Sequence, residues 1–188
     1  MPPLLFFTDP TRVVDAAAAV EALPPGAGVV FRHFGAPDAG ARGRRLRAIA
    51  RRRGIAFFVG ADIALAVRLR ADGVHLPERA AGRAGAIGAL RRRFTVTAAA
   101  HSLPAILRAR RAGVDAVVIS PVFASASPSA GRPLGTLRFA ALVRVAGVAA
   151  YALGGIAPAT APRLRRSGAC GLAAVEGAIG PAPAQIRT

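Results

Sequence analysis

Short apolar runs recur along this chain, and each is followed by a longer stretch in which apolar and polar positions mix at helical spacing. The first run is Leu4-Leu5-Phe6-Phe7. Others follow at residues 28–32, 55–59, 73–76, 94–98, 116–119, 148–153 and 171–175. They are continuously apolar rather than alternating, as parallel strands covered on both faces are. Between them the spacing predicts helices over residues 13–23, 38–53, from Asp62 onward, 81–93, from Ser102 onward, 137–145 and 158–166. Asp38 and Ser102 stand where N-caps belong. The junctions RADGVHL, RAGVDAVVIS and RSGACGLAAV resemble one another, each running from a basic helix end through a glycine-containing turn into a strand.

Strict alternation of about eight strands and helices predicts a single (β/α)8 TIM barrel over residues 1–188, with a short final helix or tail. A doubly wound open sheet is the alternative. No GxGxxG follows the first strand, so it ranks below the barrel. The loop from Ser120 to Gly135, rich in Ser, Ala, Gly and Pro, is the longest connection without a predicted element.

Composition narrows the function. The net charge is +17, and all 26 basic residues are arginine. Without lysine, Schiff-base chemistry and a lysine-linked pyridoxal cofactor are excluded. The arginines cluster at 42–53, 91–93, 108–111 and 163–166, on the polar sides or ends of predicted helices. That is the pattern of a solvated outer face. No aromatic residues interleave as stacking platforms would, so a nucleic-acid partner is not favoured. The lone Cys170 excludes an internal disulfide and suits a reducing compartment. It begins the last strand, away from the expected site, and reads as core. The opening MPPLLFFTDP lacks a basic n-region, and no apolar run reaches membrane-spanning length. A cytoplasmic protein without a membrane partner is expected.

A barrel's active site forms at the C-terminal ends of its strands. There the sequence places Thr8-Asp9, Arg32-His33, residues 60–62, His75, His101, the loop serines Ser120, Ser125 and Ser127, Gly154-Gly155 and residues 176–178. Gly154-Gly155 lies between a strand and a predicted helix start near Pro158. Glycines let backbone N–H groups approach a ligand, and a helix N-terminus would add its dipole. The loops after the seventh and eighth strands are the recurrent phosphate site of such barrels, so Gly154, Gly155, Gly177 and Ala178 are the candidate phosphate cradle. Three histidines at one barrel end suit proton transfer near neutrality. No metal site is called.

The order of motifs resembles the thiamine-phosphate synthase and TenI superfamily. LLFFTDP resembles its opening strand, and VVFRHF stands where the family has an arginine-bearing strand. ALAVRLRADGVHLP, AAAHSLPAILRARRAGVDAVVISPVFASAS, YALGGIAP and GACGLAAVEGAI resemble successive later units. The resemblance implies a small-molecule ligand, a thiazole phosphate, with its phosphate at Gly154-Gly155 and Gly177-Ala178. Arg32, His75, Ser125 and Ser127 are implied as substrate-binding. Two activities occur in the superfamily. The synthase joins a pyrimidine diphosphate to the thiazole phosphate with Mg2+, and the TenI branch aromatises the thiazole phosphate without metal.

This chain departs from the synthase pattern. Gly60-Ala61 replaces an Asn-Asp pair, and Pro77-Glu78-Arg79-Ala80 replaces a Gly-Gln-Glu-Asp turn that supplies a metal carboxylate. Phe34 and Pro128 fall on lysine positions, and Ala99 falls on a serine. Arg79 and Arg132 are candidate substitutes for the missing positive charge. HLP and AHSL resemble the TenI pattern, in which the histidine at the His101 position transfers a proton. The favoured expectation is therefore a TenI-like tautomerase with His101 catalytic and no cofactor. A synthase using Mg2+ and a non-catalytic phosphate-ligand binder are the alternatives. A homodimer is compatible with the resemblance.

Overall fold

The computed structural model describes residues 1–13, 15–90, 94–125 and 131–175. Eight strands form a closed, all-parallel barrel in sequence order: β1 (Leu4–Phe7), β2 (Gly28–Phe31), β3 (Ala56–Gly60), β4 (Gly73–Leu76), β5 (Thr95–Ala100), β6 (Ala116–Ile119), β7 (Ala149–Ala152) and β8 (Gly171–Ala174). Pairing of β1 with β8 closes it, with Leu5 opposite Ala173. The TIM-barrel expectation stands, and the open sheet is excluded.

Each strand divides its side chains between two cores, because successive residues point to opposite faces. Leu5, Phe7, Val30, Phe58, Val118 and Tyr151 point inward and fill the barrel. Leu4, Phe6, Val29, Phe57 and Val117 point outward against the helices. Both faces are dry, which is why the strands read as unbroken apolar runs. Each fully buried Phe or Leu contributes about 1.5–3 kcal/mol of transfer free energy.

The helices are α1 (Ala16–Glu21), α2 (Ala39–Arg52), α3 (Ile63–Arg68), α4 (Ala84–Leu90), α5 (Leu103–Arg111) and α6 (Gly135–Ala146). Asp15, Asp62 and Ser102 cap α1, α3 and α5 through side-chain oxygens. Asp38 precedes α2 but accepts no capping bond, and pairs with Arg42 at 3.8 Å instead. In α2, Leu46, Ile49 and Ala50 are buried while Arg44, Arg45, Arg51 and Arg52 are exposed, as the spacing predicts. The repeated junctions also have a physical basis. Asp72 and Asp115, just before β4 and β6, accept the backbone N–H groups of Phe57 and Val96 on the neighbouring strands.

Two helices differ from expectation. The region predicted as a helix over 81–93 begins earlier, as a 3-10 turn at Glu78–Arg83 that leads into α4. The helix expected from Pro158 is absent, leaving one 3-10 turn at Ala161–Leu164. Pro162 lacks an N–H and is tolerated only in a first helical turn, so a helix cannot already be running when it arrives. Cys170 is exposed rather than core. Its backbone N–H bonds Ala150 at the barrel's lower rim, and Tyr151 fills the space inside. Among the described residues, no helix is long and apolar enough to cross a membrane.

Candidate active site at the C-terminal mouth of the barrel

A cavity of about 1330 Å³ opens at the C-terminal ends of the strands. Arg32, His75, His101, Ser125, Gly154 and Gly155 all line it, so the fold brings together these six sequence candidates. Ser127, Gly177 and Ala178 lie outside the described residues.

His101 follows β5 directly and is exposed to the cavity. Its Nδ1 lies 2.8 Å from the Ser120 carbonyl oxygen and 3.2 Å from Ser120 Oγ. A carbonyl only accepts, so Nδ1 carries the hydrogen and Nε2 keeps the lone pair of a base. The His101 backbone N–H donates to Glu78 Oε2 at 2.9 Å, and Arg108 donates to the other Glu78 oxygen. These bonds fix both ring and backbone. Sequence reasoning named Ser120 only as a loop residue, because its pairing with His101 depends on how β5 and β6 align.

His75 lies within β4 rather than beyond it, and is buried. It faces Thr97 directly in the β4–β5 register. Thr97 Oγ1 donates to the Val74 carbonyl and receives His75 Nδ1–H at 2.9 Å. Phe7 meets the imidazole edge-on at 4.9 Å. Burial, aided by the Arg32 charge, pushes the His75 pKa down to about 3, so the ring is neutral and serves as a hydrogen-bonding group rather than a base. Thr97 was missed. The available signal was a threonine at an inward position of an otherwise apolar strand.

Arg32 is held by its own neighbours. Its Nε donates to the Thr8 carbonyl at 2.7 Å and its Nη2 to Asp9 Oδ2 at 3.1 Å. Burial pulls the guanidinium below its ordinary range and Asp9 pulls it back. Burial likewise raises Asp9, but hydrogen bonds from Thr11 and the charges of Arg32 and Arg12 outweigh it and leave the carboxyl below its usual value. Arg32 contacts two rings, with its guanidinium carbon 5.6 Å from the centroid of Phe7 and 5.3 Å from that of Phe34. Arg79 and Arg83 also line the cavity, whereas Arg132 does not.

Gly154 and Gly155 have φ of 95° and 64°. A Cβ on Gly154 would stand 2.9 Å from Pro121, and one on Gly155 would stand 2.4 Å from the Ala124 carbonyl oxygen. Both conformation and packing therefore require glycine here. The Val122 and Phe123 N–H groups bond the carbonyls of Leu153 and Gly154. Among the described residues, the Gly154 and Gly155 N–H groups have no hydrogen-bond partner, and they are the donors an anion could use. The expected helix dipole does not contribute, since that helix is not formed.

This chain matches the family described as "Thiamine monophosphate synthase" over residues 4–178. The chain belongs to the thiamine monophosphate synthase family. Thiamine-phosphate synthase of Chromobacterium violaceum is 35% identical, with 94% of this chain matching 90% of that one. Thiamine-phosphate synthase of Chloroflexus aurantiacus is 32% identical over 71% of this chain. The chain spans 62% of that protein's length and 60% of a further relative's from Aquifex aeolicus. In three dimensions it resembles a thiamine phosphate pyrophosphorylase from Pyrococcus furiosus, with TM-score 0.80, 23% identity, and coverage of 98% of this chain and 90% of that one. That likeness is one of fold.

The magnesium that the resemblance attaches to synthase activity can be tested against the carboxylates present. Among the described residues, no three His, Cys, Asp or Glu side chains converge as ligands. Asp62 accepts Leu65 N–H through Oδ1 and faces His33 Nε2 at 3.6 Å through Oδ2. Glu78 is occupied by His101 and Arg108, and Asp9 by Thr11 and Arg32. Magnesium demands near-octahedral oxygen ligands. Among the described residues, no cluster of carboxylates provides that set.

Proposed function

We propose that this member of the thiamine monophosphate synthase family is a TenI-type tautomerase acting on a thiazole phosphate. The observation that carries the reading is His101, whose Nδ1–H is tied to Ser120 so that Nε2 is the basic nitrogen of a side chain lining the cavity. In the reaction, Nε2 takes a proton from a ring carbon, and the C–H electron pair enters the ring system. The imidazolium then returns the proton to another atom of the ligand, so no atoms are gained or lost. The Ser120 carbonyl stabilises the imidazolium, and the arginines of the cavity wall stabilise negative charge developing on the ligand. The phosphate sits on the Gly154 and Gly155 N–H groups, with Gly177, Ala178, Ser125 and Ser127 as further contacts. His75 and Arg32 orient the ring. The working ligand is thus a small molecule, and no cofactor takes part.

The relatives' names favour a second reading, condensation of a pyrimidine diphosphate with the thiazole phosphate. In it Arg79 and Arg83 would have to supply the charge that metal supplies elsewhere. One assay separates the readings. Purified protein is given thiazole phosphate with and without the pyrimidine diphosphate and Mg2+. Isomerisation that is indifferent to metal and abolished in His101→Ala supports the tautomerase. Formation of thiamine phosphate and pyrophosphate overturns it, and binding without turnover leaves a phosphate-ligand binder.

A further inference from the structure

Phe34 occupies a place that its chemistry does not favour. It follows β2, its φ is 47°, and the next residue, Gly35, has φ 80°. Ala36 N–H bonds the His33 carbonyl at 2.9 Å, closing a turn with positive φ at both central positions. Such positions select Gly, Asn or Asp, and a bulky ring there is a conformational outlier. The surroundings hold it in place. His33 Nδ1 accepts Gly35 N–H at 3.1 Å, and its Nε2 faces Asp62 at 3.6 Å, so both imidazole nitrogens pin the turn to the start of α3. Strain maintained this way at a cavity wall points to a role for the side chain.

Phe34 is 68% exposed, yet it lines the cavity. The Arg32 guanidinium lies over its ring at 5.3 Å and also contacts the Phe7 ring at 5.6 Å. Phe7, Arg32 and Phe34 thus form a linked group in which one cation contacts two rings. Phe7 is buried in the barrel, and Phe34 is the exposed member of the group. Aromatic side chains stack offset or edge-on with planar rings, and the turn and the Arg32 contact hold this one in place.

We propose that Phe34 is a stacking platform for a planar aromatic ring carried by a phosphate-bearing ligand, and that it sets the protein's preference for aromatic over aliphatic ligands. The phosphate anchor is taken from the reading above, and the probes below separate the two. Binding is measured by calorimetry on the full chain with benzyl phosphate, cyclohexylmethyl phosphate, thiazole phosphate and inorganic phosphate. Wild type binds benzyl phosphate about fivefold more tightly than cyclohexylmethyl phosphate. Phe34→Ala and Phe34→Leu erase that ratio, Phe34→Tyr keeps it, and inorganic phosphate binds all four proteins equally. No benzyl phosphate binding by wild type, equal affinity for the two ring phosphates, or a preference that survives in Phe34→Leu, overturns the platform. A Phe34-dependent benzyl preference without thiazole phosphate binding removes the thiazole reading and leaves the platform standing.

Discussion

The two sides of the barrel mouth use their polar groups differently. Around the ends of β1 to β3, polar side chains are turned on each other: Arg32 is paired with Asp9, and His33 Nε2 faces Asp62. Around β5 to β7, the groups are fixed at one end and open at the other. His101 is tied through Nδ1 and keeps Nε2, while the glycine turn is tied through its carbonyls and keeps its N–H groups. The first side builds a wall, and the second presents a base and an anion cradle. A charged residue at a strand end is therefore a weaker guide to chemistry than a polar atom left unspent.

The contrast predicts a ranking of variants. His101→Ala removes the open base and should cost about 10²–10⁴ in isomerisation rate, or roughly 3–5 kcal/mol of transition-state stabilisation. Thiazole phosphate affinity should hardly change, and single-turnover kinetics beside calorimetry check both. A comparable loss of binding would mean that His101 only positions the ligand.

Gly155→Ala acts on the cradle. The added methyl meets the Ala124 carbonyl and sits at a φ of 64°, so a loss of about 1–3 kcal/mol in stability is expected. Phosphate affinity should fall with it, read by urea denaturation and by calorimetry with inorganic phosphate. Unchanged phosphate binding in a folded variant would move the anion elsewhere.

His75 gives an acid signature. Its folded pKa of about 3 lies below its unfolded value near 6.5, so as pH falls through this window the unfolded chain takes up a proton that the folded one refuses. Stability is full above pH 6.5 and declines toward pH 3, on the order of 1 kcal/mol per unit. Thermal melts of wild type and His75→Gln between pH 7 and 5 test this, since the variant should show a shallower slope. That window lies above the range in which Asp9 titrates.

Asp62→Asn should do least. Asparagine still caps α3 and keeps an oxygen facing His33, so stability should stay within ~0.5 kcal/mol and isomerisation should persist. A large loss of turnover would assign Asp62 a direct role and favour the synthase reading.

The barrel was legible because burial on both faces leaves each strand continuously apolar. The six described site candidates were legible because strand ends mark the mouth. Partnerships were not. His75 meets Thr97, and His101 meets Ser120, only once the strand register is set. Pro158 after the glycine pair has the place of a helix start, but Pro162 four residues on stops a helix from already running there. In sequence Phe34 stands out only as the residue at a lysine position, and its strained turn has no counterpart in local propensity.

The closure of the barrel has a consequence in time. Tyr151, buried inside, donates its hydroxyl to the Pro2 carbonyl at 2.6 Å, and Leu172 N–H bonds Pro3. β1 cannot complete its pairing until β8 exists. At ribosomal rates of about 5–20 residues per second, the first strand waits roughly ten seconds or more with one edge bare. During synthesis that edge, Leu4–Phe7, waits longer for its partner than any other strand edge of the barrel, and an early chaperone contact is best sought there.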